Sequence, residues 1–236
     1  MSRLSKIFVS SAAALALLSA PVSGSAAPAP VTANGITTQN ASASDAFPGL
    51  KGFLNLPASA RNQLSVYYVL RVKHADPAAV KITMSYKGQT TPIRLGSDGR
   101  LTPLPTRDQL NGGATVSISG PESAGVGMKL HVYSPQPDST TYDAQALATG
   151  VQQGNAAMSK IAGPLALMLP KLDRVYMVGG GDGVAEWANG QKKPLPKTAS
   201  KGEYPAGTPY FVPSDMKGAV RLTFSHKVTL AHYDTK

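Results

Sequence analysis

From Phe47 onward the chain alternates apolar and polar positions with a period of two, the spacing of side chains on a half-buried β-strand. Val66, Tyr68, Leu70 and Val72 alternate with Tyr67, Val69, Arg71 and Lys73, and the apolar Val69 points to cover on both faces. Ile82, Met84 and Tyr86 alternate with Lys81, Thr83 and Ser85. The pattern returns at Met128, Leu130 and Val132 against Lys129, His131 and Tyr133, and at Val220, Leu222 and Phe224 against Arg221, Thr223 and Ser225. A last strand is predicted over 228–233. Ser97-Asp98-Gly99, Asn111-Gly112-Gly113, Asp182-Gly183 and Asn189-Gly190 separate these runs with residues that supply the positive φ of tight turns.

One stretch has a different period. Leu147, Val151, Met158, Ile161 and Leu165 recur at helical spacing, which predicts a helix over 142–165 whose apolar stripe packs on a sheet. Thr140 and Asp143 suggest a capping box, and Gly163-Pro164 ends the run. Gly150 and Gly154 weaken the interior by about 1 kcal/mol each relative to alanine.

The two halves share a motif. Gly99-Arg100-Leu101-Thr102-Pro103-Leu104-Pro105 aligns with Gly190-Gln191-Lys192-Lys193-Pro194-Leu195-Pro196, each followed by a strand-like stretch. Leu56-Pro57 ahead of Tyr67 is echoed by Leu169-Pro170 ahead of Arg174, with an insertion in the first copy. The expected fold is therefore mainly β: two related antiparallel β units, sandwich-like or partly open barrels, joined by one α-helix. The expected organisation is a first unit over 47–134, a linker with the helix over 135–165 and a second unit over 166–236.

The N-terminus changes the picture of location. Arg3 and Lys6 precede an apolar run over 7–18 and then Gly24-Ser25-Ala26, the pattern of a signal peptide over 1–26 cleaved after Ala26. That run falls short of the roughly 20 residues that span a bilayer, so no transmembrane segment is expected after processing. Residues 27–46, charge-free as far as Ser44, read as a flexible leader. The prediction is a periplasmic protein. Absence of cysteine excludes a thioether lipid anchor and disulfide staples. The formal charge is +10, and removal of Arg3 and Lys6 leaves +8. Such a balance favours anionic surroundings.

Catalytic motifs are incomplete. Pro121-Glu122-Ser123-Ala124-Gly125 has proline where a nucleophile elbow needs glycine, and Ser214-Asp215-Met216-Lys217 lies in a segment too broken for the helix that S-x-x-K requires. Gly179-Gly180-Gly181-Asp182-Gly183 reads as a glycine-rich hairpin, because a strand rather than a helix follows it. His74, His131, His226 and His232 lack metal-ligand spacing, although a terminal hairpin would bring His226 near His232. Glu186 beside Trp187, with Tyr204 and Tyr210, suggests stacking on sugars or, more simply, core aromatics. No catalytic, cofactor or metal residue is assigned.

What remains is charge. Lys192, Lys193, Lys197 and Lys201 lie in an acid-free stretch around the second Pro-Leu-Pro segment and are the candidate contacts for an anionic ligand. The expectation is a non-enzymatic binding or accessory protein of the cell envelope, whose partner is an anionic envelope component or an envelope protein and not nucleic acid. The alternative is an envelope hydrolase with a site assembled from residues distant in sequence.

Overall fold

A computed structural model describes residues 31–33, 35–199 and 203–236. The protein is mainly β, built of antiparallel sheets in a sandwich-like arrangement with few helices. It divides into two compact units: unit 1 takes the chain up to Asn55 and again over Tyr67–Leu130, and unit 2 takes Leu56–Val66 and His131–Lys236. The predicted signal peptide lies outside the described residues.

Unit 1 contains β1 (Val31–Ala33), β2 (Ile36–Ser42), α1 (Ala43–Ala46) and α2 (Leu50–Asn55). After an excursion through unit 2, the chain returns within β3 (Ser65–Lys73) and continues through β4 (Lys81–Tyr86), β5 (Gln89–Leu95), β6 (Leu101–Thr102), α3 (Arg107–Asn111), β7 (Thr115–Pro121) and β8 (Gly125–Tyr133). A six-stranded sheet runs in the order β1-β2-β7-β4-β5-β6. One face carries Val116, Met84, Ile82 and Ile93 into the core, and Phe47 meets Tyr68 edge-on at 5.0 Å.

One expectation needs correction here. The segment 36–46 is not a free leader, because β2 pairs with β7 over its whole length, from Ile36↔Pro121 to Ser42↔Thr115, and α1 follows. The inward positions of β2 are small or polar, so it carries no apolar alternation to betray it. Asn111-Gly112-Gly113 is the expected tight turn: it ends α3, which Thr106 and Gln109 cap reciprocally, with Gly113 at φ +76°.

Unit 2 takes the end of β8 and then β9 (Ser139–Asp143), α4 (Ala144–Ala162), β10 (Arg174–Val178), β11 (Gly183–Trp187), β12 (Lys192–Pro194), β13 (Tyr210–Phe211), β14 (Ala219–Val228) and β15 (Leu230–Asp234). One sheet has the order β12-β11-β14-β9, and a second runs β13-β10-β15-β8. The predicted strands at 220–225 and 228–233 are β14 and β15, broken at Thr229.

Helix α4 is no linker; it packs within unit 2. Asp143 itself is the N-cap, accepting from Gln145 N at 2.8 Å and Ala146 N at 3.0 Å, so the predicted pairing of Thr140 with Asp143 is not the cap. Its buried face is Ala144, Leu147, Gly150, Val151, Gly154 and Ala157, whereas Ile161 is exposed. Both helix glycines are packing sites: a Cβ on Gly150 would overlap the Tyr233 ring, and one on Gly154 would stand 2.5 Å from Leu172 Cδ1.

The glycine run after β10 is a corner between sheets and not a hairpin. Gly180 N–H reaches Met177 O, and His226 N–H and Ser225 N–H return to Gly180 O and Asp182 O. A Cβ on Gly180 or Gly183 would crowd Phe224 at 2.8 and 2.7 Å. Backbone closeness is what the glycines provide.

The turns of the shared motif resemble each other in register and hydrogen bonding. β5 and β6 pair Leu95↔Leu101 and Arg94↔Thr102, while β11 and β12 pair Glu186↔Lys192 and Ala185↔Lys193. In both turns the third residue is an Asp or Asn, Asp98 or Asn189, whose side chain accepts from the backbone N–H two residues on, at 3.0 Å in each case. Gly99 and Gly190 follow at φ +79° and +83°.

Candidate functional site

Strand pairing in unit 2 places four rings in one row: Tyr133 opposite His232, His232 opposite Tyr176, and Tyr176 opposite Tyr210. Asp234 stands opposite Arg174 in the next row. Residues 203–209 fold back over this face. Their base is fixed by Tyr210 N–H to Pro196 O, Thr198 N–H to Thr208 O, and the hydroxyls of Thr198 and Thr208, which both donate to Pro205 O at 2.8 Å. This brings Tyr204 flat onto Tyr176, with ring centroids 3.9 Å apart and planes at 16°.

A polar chain threads the covered face. The Tyr204 hydroxyl donates to Asp234 Oδ2 at 2.7 Å and also contacts His232 Nδ1. His232 Nε2 meets His131 Nδ1 at 3.1 Å, and His131 Nε2 lies 3.3 Å from Glu203 Oε1. His131 is 3% exposed and His232 4%. Burial, and then the Asp234 carboxylate, raise the Tyr204 hydroxyl well above the ordinary phenol range, so it stays a donor at neutral pH.

The chain runs from one carboxylate to the other through two buried imidazoles that meet ring to ring. Beside it, Arg174 grips Asp173 through two contacts at 2.8 and 2.9 Å and lies 4.9 Å over the Tyr210 ring. Such an arrangement fastens the 203–204 segment to the sheet and keeps charge indoors. No cluster suited to a metal ion occurs among the described residues.

The sequence-predicted lysines are placed differently. Lys192 and Lys193 lie on β12, a fully exposed edge strand closed by Pro194, where lysine and proline discourage pairing with another chain. Lys192 also reaches Glu186 at 3.4 Å, and Lys197 pairs with Asp182 at 2.5 Å. Lys201 lies outside the described residues. The four are therefore not one open basic loop: two are paired with acids, which leaves Lys193 as the uncompensated charge among the three described.

Protein-family models, curated proteins and solved structures contain no match to this chain.

The remaining candidates fall to separate places. Glu186 is held by Arg221 at 2.5 and 3.0 Å and by the Thr223 hydroxyl at 3.0 Å, which keep its carboxyl below the usual range and make it an ion-pair anchor. Trp187 donates through Nε1 to Lys217 O, whereas Tyr204 and Tyr210 both meet the Tyr176 ring. His232 pairs with His131 rather than with His226, which sits by Ser225. The alternation of β8 put His131 on an open polar face; cover from a distant segment buries it. The one available signal was that Glu203, Tyr204 and Asp234 lie in the same half of the chain as His131 and His232.

Proposed function

We propose that this chain is an exported, periplasmic protein of the cell envelope that binds an anionic envelope component without catalytic turnover, its signal peptide being cut near Ala26. The observation that carries this reading is the direction in which the charged groups face. The side chains suited to acid-base chemistry, His131 and His232, are buried and engaged with protein groups, whereas exposed positive charge lies on the edge strand at Lys192 and Lys193. A duplicated ancestral β unit is part of the same proposal, supported by the matched register and turn hydrogen bonds of the β5–β6 and β11–β12 hairpins.

The test uses the mature protein with vesicles of anionic or zwitterionic phospholipid, and with a soluble polyanion. Binding to the anionic probes that weakens with salt, and weakens further when Lys192, Lys193, Lys197 and Lys201 become serine, supports the reading. Binding that ignores both salt and these substitutions overturns the lysine assignment. Turnover of an envelope substrate that is lost in His232→Gln overturns the non-enzymatic reading in favour of the hydrolase.

A further inference from the structure

After α4 the chain makes a two-turn 3₁₀ excursion, Gly163–Met168, before returning at Leu172 on the way into β10. Gly163, at φ +55°, ends the helix with its N–H on Ser159 O. At the other side Asn155 holds Leu172 with two hydrogen bonds, Nδ2 to Leu172 O and Oδ1 from Leu172 N, both 2.9 Å, and the Leu172 side chain fills the space left by Gly154. Both ends of the excursion are thus fastened to the helix. Its tip nevertheless turns its apolar groups outward: Leu167 is 94% exposed and Met168 81%, with Ile161 at 40% on the approach. Leu167 and Met168 are the two most exposed large apolar side chains among the described residues. A protein that faced only water would gain nothing from holding them there.

The charge around the tip is one-sided. Exposed Lys160 and Lys171 flank it, and no Asp or Glu occurs between Asp143 and Asp173. An apolar wedge with basic shoulders fits a surface that is apolar beneath and anionic at its rim. A second copy of this chain fits less well, because two tips meeting would gather four lysines with no acid from this stretch to offset them.

We infer that Leu167 and Met168 insert into the head-group boundary of an anionic lipid leaflet, with Lys160 and Lys171 against the lipid phosphates. This rests on the proposed binding of an anionic envelope component and names a lipid surface as that component. Sedimentation of the full mature protein with phosphatidylglycerol vesicles tests it. The expected result is a fall in vesicle partitioning of about tenfold or more for Leu167→Ser with Met168→Ser, with an unchanged melting temperature. Lys160→Ser with Lys171→Ser removes the salt-sensitive part of the same binding. A Leu167→Trp variant shifts its emission to the blue on anionic vesicles, while the parent protein, reporting Trp187 alone, does not.

Equal partitioning of the serine variant and the parent overturns the inference. So does a parent that binds a soluble polyanion but no vesicles, although the proposed function then survives. If light scattering shows a dimer that the serine variant converts to a monomer, the tip is a subunit contact and the lipid assignment fails. If instead the tip variants lose binding and Lys192→Ser with Lys193→Ser does not, the inference stands and the lysine-edge assignment falls.

Discussion

His131 and His232 stand 101 residues apart in the chain and meet at 3.1 Å, Nδ1 to Nε2, inside unit 2. Each ring is the other's only route to a complete chain between Glu203 and Asp234 through the contacts described. Replacing either with glutamine therefore strands its partner in a buried setting. His131→Gln and His232→Gln are each expected to lower stability by about 1–3 kcal/mol. The double variant loses less than the sum, because the second substitution breaks nothing the first left intact. Urea denaturation of the four proteins measures the cycle, and strict additivity would contradict the coupled pair.

The ring-to-ring contact is directly observable. Glu203→Gln should alter the imidazole nitrogen resonances of both histidines rather than those of His131 alone, because the two rings meet at 3.1 Å.

Alkali probes the tyrosines. Burial raises Tyr68, Tyr142, Tyr176 and Tyr204, and pushes Tyr233 up to about 12. Their folded values lie above the unfolded value near 10, so the stability they carry is fully present below about pH 10 and is lost as pH rises through the raised values. The expected titration at 295 nm has two steps, with five of the nine tyrosines in the chain delayed until unfolding. A single step near pH 10 would contradict it.

Acid probes two carboxylates with the opposite sign. The Lys197 ammonium holds Asp182 below its ordinary value, and the Arg221 guanidinium holds Glu186 below its own. Their contribution is present above the unfolded carboxylate range, about 3.9 to 4.3, and is lost as pH falls through the lowered folded values. Melting temperature against pH should therefore drop below about pH 4, less steeply in Glu186→Gln.

Alanine at Gly150 is expected to destabilise by about 1–3 kcal/mol, although helix propensity alone predicts a gain near 1. The Tyr233 ring, whose hydroxyl donates to Gln63 O at 3.0 Å, occupies the place of the new methyl. Gly154→Ala meets only the end of the Leu172 side chain and should lose less. Thermal melts of the two variants rank them.

Much of the β architecture was legible because period-two alternation survives wherever one face is buried against apolar neighbours, as at Ile82 and Met84. β2 escaped because its sequence, Ile-Thr-Thr-Gln-Asn-Ala-Ser, buries backbone pairing rather than large side chains. The site escaped for a different reason. His131 follows its strand's alternation faithfully, yet the segment bearing Glu203 and Tyr204 covers the face that alternation assigns to water. Local pattern describes a strand's two faces and not what will later lie upon them. The lysines misled in the same way, since their acid-free neighbourhood in sequence is supplied with Glu186 and Asp182 in space.

The short piece Leu56–Val66 belongs to unit 2 but is made before the Tyr67–Leu130 part of unit 1 and before the rest of its own unit. Its backbone partners, Gln153 for Gln63 N–H and Tyr233 for Gln63 O, come from the middle and the far end of the chain. During synthesis that piece must wait, unsatisfied, until the last strand emerges. A polypeptide threaded this way favours delivery of the whole chain before folding finishes, and neither unit can be cut out as one continuous stretch.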